Sequence, residues 1–387
     1  MPHDSAETFP EIREAVRRLC ARFPGPYWRA LDRERQYPTE FVTALTEAGF
    51  LSVLIPEAYG GSGLGLAAGA AVLEDIHRSG ANGGACHAQM YTMGVVLRHG
   101  SAEQKAAYLP KVASGELRLQ AFGVTEPDAG TDTTRITTFA RREGERYVVN
   151  GKKLWISRAE HSDLMVLLCR TTPRADAAKP SDGMSVLLVD MREAVGNGLT
   201  IRPVRTMLNH ATTELFFEDL EVPVANRIGE EGQGFKYIID GFNPERILVA
   251  VEAIGLGRAA LKRAAAYAKE RVVFGHPIGK NQAIQHPLAE CWMELEAADL
   301  VAMKAAWQYD NGVPCGPAAN AAKYLGAEAG FKACETAVMT HGGYGYAKEF
   351  HVERYLRESM IARIAPVTPH LILCFIAEKI LGLPRSY

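Results

Sequence analysis

The stretch Asn243-Pro244-Glu245-Arg246, running on through Ile247-Leu248-Val249-Ala250-Val251 to Glu270-Arg271-Val272-Val273-Phe274-Gly275, decides how this chain is read. Asn243 can cap a helix and Pro244 fits its first turn, because neither position needs an intrahelical N–H bond. The residues behind them are apolar nearly all round the helix, which places it inside a bundle rather than on a surface. Glu245 stands at the mouth of that buried helix. A carboxylate there either complements the helix dipole or acts as a base in an apolar cleft. The rest of the chain bears on the choice.

Working outward, 387 residues are too many for one ordinary core, so two or three domains are expected. Apolar residues make up 47% and charged residues 23%, an ordinary globular balance. A formal net charge of −2, with no block of Lys or Arg, leaves no electrostatic case for nucleic acid. The longest apolar run, residues 247–256, is broken by Glu252 and is shorter than the roughly 20 residues of a membrane span. Residues 1–10 lack the basic-then-apolar form of a signal peptide. Seven scattered cysteines with no C-x-x-C pair argue against disulfides or a zinc site and for a reducing compartment. The expected location is the cytoplasm.

Three textures divide the chain. Residues 1–117 read as an N-terminal helical domain. Ile12, Val16 and Leu19 share a face, as do Phe41, Leu45 and Ala48 before a stop at Gly49, and Ser101-Ala102-Glu103-Gln104 has the form of a capping box. Gly60-Gly61-Ser62-Gly63 is read as an interhelical loop, since no strand precedes it and no Gly-Lys-Ser/Thr follows. Residues 118–228 alternate in short extended runs at 139–142, 146–150, 164–169, 184–189, 199–204 and 214–217, a compact β-barrel or sandwich. Asn150-Gly151 is read there as a hairpin turn. Residues 229–387 are helical again, with 243–271, 282–310, 317–339 and 368–381 forming a four-helix bundle. Gly255-Leu256-Gly257-Arg258 mimics a dinucleotide fingerprint, but it lies within a helix and signals close helix packing. The fold class is therefore α+β and multidomain.

Four stretches in this order resemble the acyl-CoA dehydrogenase family of flavoproteins. Thr125-Glu126-Pro127-Asp128-Ala129-Gly130-Thr131-Asp132 is similar to its T/S-E-P-x-A-G-S/T-D loop, and Asn150-Gly151-Lys152-Lys153-Leu154-Trp155-Ile156-Ser157 to its N-G-x-K-x-W-I-T/S strand. Glu270-Arg271-Val272-Val273-Phe274-Gly275 with Gln282 resembles its E-R-x-x-F-G…Q segment, and His341-Gly342-Gly343-Tyr344-Gly345 its glycine turn. The resemblance implies FAD, with Phe122, Val124 and Thr125 along the isoalloxazine ring and Trp155, Ile156 and Ser157 across its other side. Thr131 would meet the pyrophosphate and also border the substrate. It further implies that a neighbouring subunit supplies Arg271, Phe274, Gln282, Met339, Gly342 and Gly343, with Thr368 and His370 also at the cofactor. The expected assembly is then a homo-oligomer, a tetramer built as a dimer of dimers. Acyl-CoA would be the substrate and an electron-transfer flavoprotein the acceptor.

Two departures sharpen the reading of Glu245. Met339 stands where the family commonly has Gln, removing one hydrogen bond to the cofactor. Many members carry the catalytic base as Glu in a loop after an R-D/E-x-x-I run, whereas here Arg357-Glu358-Ser359-Met360-Ile361 is followed by Ile364-Ala365-Pro366-Val367-Thr368. Pro366 occupies the place of that Glu. In a subgroup that includes isovaleryl- and long-chain acyl-CoA dehydrogenases the base sits on the helix, where Glu245 stands. Glu245 is thus the implied base, taking the α-proton while flavin N5 accepts the β-hydride to give a trans-2-enoyl-CoA. Asn243 and Arg246 are implied near the substrate, Asn243 toward the pantetheine arm. At the loop position the family's backbone N–H binds the thioester carbonyl; proline has none, and losing one such donor costs about 3 kcal/mol of transition-state stabilisation. Two other readings stay open: a flavin mono-oxygenase or oxidase on the same fold, and a non-catalytic flavin- or CoA-binding subunit of a hetero-oligomer.

Overall fold

A computed structural model describes residues 8–386. In chain order it has helices α1 (Pro10–Ala21), α2 (Gly25–Glu34), α3 (Thr39–Glu47), α4 (Leu66–Arg78), α5 (Gly84–His99) and α6 (Ala102–Ser114). Strands β1 (Leu119–Gly123), β2 (Phe139–Glu143), β3 (Arg146–Ser157), β4 (Leu164–Arg170) and β5 (Met184–Asp190) follow, then the short α7 (Met191–Ala194), β6 (Leu199–Pro203), β7 (Thr212–Pro223) and β8 (Arg227–Ile228). The chain ends with α8 (Gly234–Asp240), α9 (Phe242–Glu270), the hairpin β9 (Val272–Val273) and β10 (His276–Pro277), α10 (Gln282–Asp310), α11 (Gly316–His341), α12 (Val352–Ile364) and α13 (Pro369–Lys379). Two compact units result, one of residues 35–64 and 84–242, the other of 1–34, 65–83 and 243–387.

In the first unit β1 pairs parallel with β4, and the remaining strands run β6-β7-β3-β2-β4-β5-β8. Strand β4 is buried on both faces, which is why Leu164-Met165-Val166-Leu167-Leu168-Cys169 is continuously apolar rather than alternating. Leu164, Val166 and Leu168 pack with Val95 and Val96 of α5 and Leu109 and Val112 of α6. Met165, Leu167 and Cys169 face a second core with Tyr147, Leu215 and Phe217. The capping box at Ser101 is present, with Gln104 N donating to Ser101 Oγ and Ser101 N to Gln104 Oε1.

Asn150-Gly151 is not a turn. Both residues lie inside β3, and the β2–β3 turn is at Gly144, φ +62°. Gly151, φ +143°, sits at a register shift between β3 and β7, and a Cβ there would come within 2.7 Å of Thr138 Cα. Close backbone approach at a bulge required the glycine.

In the second unit α9 is the buried bar that its composition implies. Gly255 lets the Glu74 carbonyl of α4 approach to 2.4 Å of where a Cβ would be, and Gly257 admits Leu295 and Gly330 of α10 and α11. Leu256, Ala260 and Ala264 pack with Cys334 and Ala337 of α11 and Val352 and Tyr355 of α12. Helix α12 is missing from the four expected by sequence. Its charges hid it: Arg354, 3% exposed, donates from Nη1 to Glu358 one turn on and from Nη2 to the Gly80 carbonyl. An apolar window within Val352–Lys379 has the length and hydropathy of a membrane crossing, but residues 365–368 divide it into α12 and α13.

Candidate active site

In the first unit the site grows from a buried ion pair. Lys153, fully buried on β3, donates from Nζ to Val124 O and Glu126 Oε1, each at 2.9 Å. Glu126 also accepts from Thr137 N and Oγ1 at 2.7 and 2.8 Å and from Thr138 N at 2.9 Å. Burial opposes the Glu126 charge, but Lys153 and these donors outweigh it and hold the carboxyl at about 2. Burial pulls the Lys153 ammonium below its ordinary value, against the attraction of Glu126. The loop after β1 is thus bound to β3, and Leu154 N closes the junction on Thr125 O at 2.9 Å.

One residue further, the strand register shifts between Lys153 and Ile156, and Trp155 adopts φ +63° with 56% of its surface exposed. A left-handed conformation costs a non-glycine residue about 1–2 kcal/mol, and strain of this kind clusters at active sites and ligand clamps. Thr125 and Ser157 are half-buried, and their hydroxyls have no hydrogen-bond partner among the described residues. A flat indole and two open hydroxyls fit a planar heteroaromatic ring with a polar edge, as a flavin is. Phe122 is half-buried, its ring edge-on to Tyr91 at 5.3 Å. Ile156 and Val124 point inward, 2% and 8% exposed, leaving chiefly backbone to offer a ligand. Thr131 is exposed.

In the second unit Glu245 lies in the first turn of α9 and is 9% exposed. The helix starts at Phe242, so Asn243 is not its cap; Asn243 Oδ1 instead accepts from Arg246 Nη1 at 3.0 Å. Burial pulls the Arg246 guanidinium below its usual range, and Glu245 acts against that pull. Between α12 and α13, residues 365–368 carry no carboxylate.

The far end of α9 leads to Arg271 and the β9–β10 hairpin. Its two-residue turn, Phe274-Gly275, has φ +51° and +83°, the paired positive values a tight hairpin needs. Phenylalanine is a strained choice there, and its side chain is 97% exposed. Arg271 Cζ lies 5.8 Å from the centre of the Tyr344 ring, so this arm meets the glycine turn. Tyr267 stacks on His341 at 4.3 Å and backs that turn. Side chains added at Gly342 or Gly343 would meet nothing within 4 Å, leaving the backbone open to a ligand. Gln282 is exposed at the start of α10. Beside it a cavity of about 260 Å³ opens between Ile284, Pro287, Glu335 and Met339. Thr368 caps α13 through Leu371 N and His370 is exposed. Neither makes a hydrogen bond, ion pair or ring contact with Arg271, Phe274 or the glycine turn.

The Glu126–Lys153 pair escaped the sequence reading although both residues lie in quoted motifs. A lysine at an inward position of a strand is the signal that marks it.

Family models describe three parts of the chain as the N-terminal, middle and C-terminal domains of acyl-CoA dehydrogenases, at residues 6–116, 121–220 and 232–378. The chain is 35% identical over 389 residues to acyl-CoA dehydrogenase FadE12 of Mycobacterium tuberculosis, covering 97% of this chain and 96% of that protein. It superposes on the glutaryl-coenzyme A dehydrogenase glutaryl-CoA complex with a TM-score of 0.92 at 31% identity, over 100% of this chain and 98% of the other. PigA with FAD and proline is also similar, with a TM-score of 0.91 at 25% identity, over 99% and 100%. From its matched domains and these relatives, the chain belongs to the acyl-CoA dehydrogenase family of flavin-binding oxidoreductases.

Proposed function

We propose that this chain is an FAD-dependent acyl-CoA dehydrogenase whose base is Glu245. The observation that carries the reading is the near burial of Glu245 at the mouth of an apolar helix, together with a loop at 365–368 that offers no carboxylate. FAD, when bound, supplies the two-electron acceptor that removal of hydrogen from Cβ requires. Glu245 takes the proton from Cα, and a double bond forms between the two carbons. Trp155, Thr125 and Ser157 hold the flavin ring, with Phe122 and the Val124 and Ile156 backbone beside it. Thr131 holds the pyrophosphate. Asn243 and Arg246 border the thioester arm.

The 97% exposure of Phe274 and 74% exposure of Met339 favour an arrangement in which Arg271, Phe274, Gln282, Met339, Gly342 and Gly343 serve a neighbouring subunit's FAD, with Thr368 and His370 also at the cofactor. A homotetramer is the corresponding assembly, an electron-transfer flavoprotein the acceptor, and a reducing cytoplasm the setting, consistent with seven free cysteines.

Anaerobic flavin reduction against straight, branched and cyclic acyl-CoAs tests this. Glu245→Gln keeps FAD and slows reduction about 10²–10⁴-fold; a variant as fast as wild type rules Glu245 out as base. Similarity to the prolyl acyl carrier protein oxidase AnaB supports a second reading, an oxidase. Stoichiometric H₂O₂ release during turnover would favour it.

A further inference from the structure

Lys323 stands two turns into α11 and is 0% exposed. Its ammonium has three N–H donors, and its one hydrogen-bond partner among the described residues is the Val367 carbonyl, at 2.7 Å. It forms no ion pair there. Two nearby cations, Arg246 of α9 and Arg363 of α12, disfavour its charge, while Glu328 of α11 favours it from a distance and is itself bound to Arg363 at 2.9 Å. A buried charge with so little compensation is costly. A purely structural tie to one carbonyl does not require it, since a neutral donor would serve.

Val367 adjoins Pro366, the residue that removes both the loop carboxylate and an N–H. We propose that Lys323 is a positioning residue for the thioester, its ammonium holding the Val367 carbonyl and bringing positive charge to the turn at 365–368, where Pro366 leaves no donor. This rests on the dehydrogenase reading. Negative charge grows on the thioester oxygen as the α-proton leaves, and a cation behind that turn stabilises it.

Burial, with the two arginines, brings the Lys323 ammonium down to about 8 despite Glu328. Activity therefore falls as pH rises past about 8 and the charge is lost. Stability moves the other way. A base whose folded value is depressed carries its full penalty below that value and sheds it between about 8 and 10.5.

The test compares the FAD-loaded wild type with Lys323→Met and Lys323→Arg. Lys323→Met fills the same space without charge. It is expected to bind FAD normally, to reduce its flavin about tenfold more slowly below pH 8, as loss of a charged hydrogen bond implies, and to lose the alkaline fall. Lys323→Arg is expected to keep the rate and move the fall to higher pH. A Lys323→Met protein with full FAD content and the wild-type rate and pH profile overturns the proposal. Hydrogen exchange at the amides of residues 364–371 is an independent readout. Faster exchange in Lys323→Met supports the anchor, and unchanged exchange overturns it. If no acyl-CoA reduces the wild-type flavin, the dehydrogenase reading fails, while the exchange experiment still decides whether the anchor exists.

Discussion

Lys153 and Lys323 are both fully buried, and each holds the backbone carbonyl of a site loop, Val124 O in one unit and Val367 O in the other. They differ in what faces them. Lys153 has the Glu126 carboxylate at 2.9 Å, itself held by donors from Thr137 and Thr138. Lys323 has a carbonyl as its one hydrogen-bond partner among the described residues, with Glu328 favouring its charge and Arg246 and Arg363 opposing it. The first arrangement satisfies its charges internally and builds a rigid platform beneath Trp155. The second leaves a charge poorly compensated, and such a group can respond to pH or to a developing anion.

Removing one partner of the satisfied pair gives the largest effect. Lys153→Met leaves Glu126 buried and unpaired, and is expected to cost about 3–5 kcal/mol in urea unfolding and to weaken FAD retention. Lys323→Met leaves no charge behind and is expected to stay within about 1 kcal/mol of wild type. Equal losses for the two variants would break the comparison. Adding Glu126→Gln to Lys153→Met is expected to recover about 1–3 kcal/mol, since the two residues act as one unit.

The pH dependence separates the two lysines again. The stabilisation carried by ionised Glu126 is fully present above the ordinary 4.5 and is lost as pH falls from there to about 2. Thermal melts from pH 6 to 2 should show this loss in wild type and not in the Lys153→Met, Glu126→Gln double variant. The smallest effect concerns strain. Phe274→Gly relieves a left-handed residue and is expected to gain about 1 kcal/mol, while FAD release from the assembled protein quickens. A destabilised Phe274→Gly protein would show that Phe274 is held by packing rather than exposed for a ligand.

Local pattern made much of this legible. The Asn-Pro start and the nearly all-round apolar run behind it identified α9, and Gly255 and Gly257 signalled helix contact because nothing larger fits against Glu74 O or Gly330. Ser101 and Gln104 formed the cap their spacing implied. The misses share a cause. Asn150-Gly151 looks like a turn within its own neighbourhood, yet the glycine answers to Thr138 on another strand. Asn243 has the composition of a cap, but α9 begins one residue earlier and the side chain turns to Arg246. Helix α12 lacks an apolar stripe because its buried Arg354 pairs with Glu358 and with Gly80, distant in sequence.

By itself the sequence determined the family, the order of helical and β segments, the place of Glu245 on its helix and the want of a carboxylate around Pro366. These depend on residue identity and short-range spacing, which the chain states directly. Only the tertiary structure decided that Lys153 meets Glu126, that Trp155 and Phe274 are held in left-handed conformations and exposed, and that Lys323 reaches Val367. Those contacts join residues tens of positions apart. Burial then sets their charge states, because a buried charge answers to the few groups that folding brings within reach.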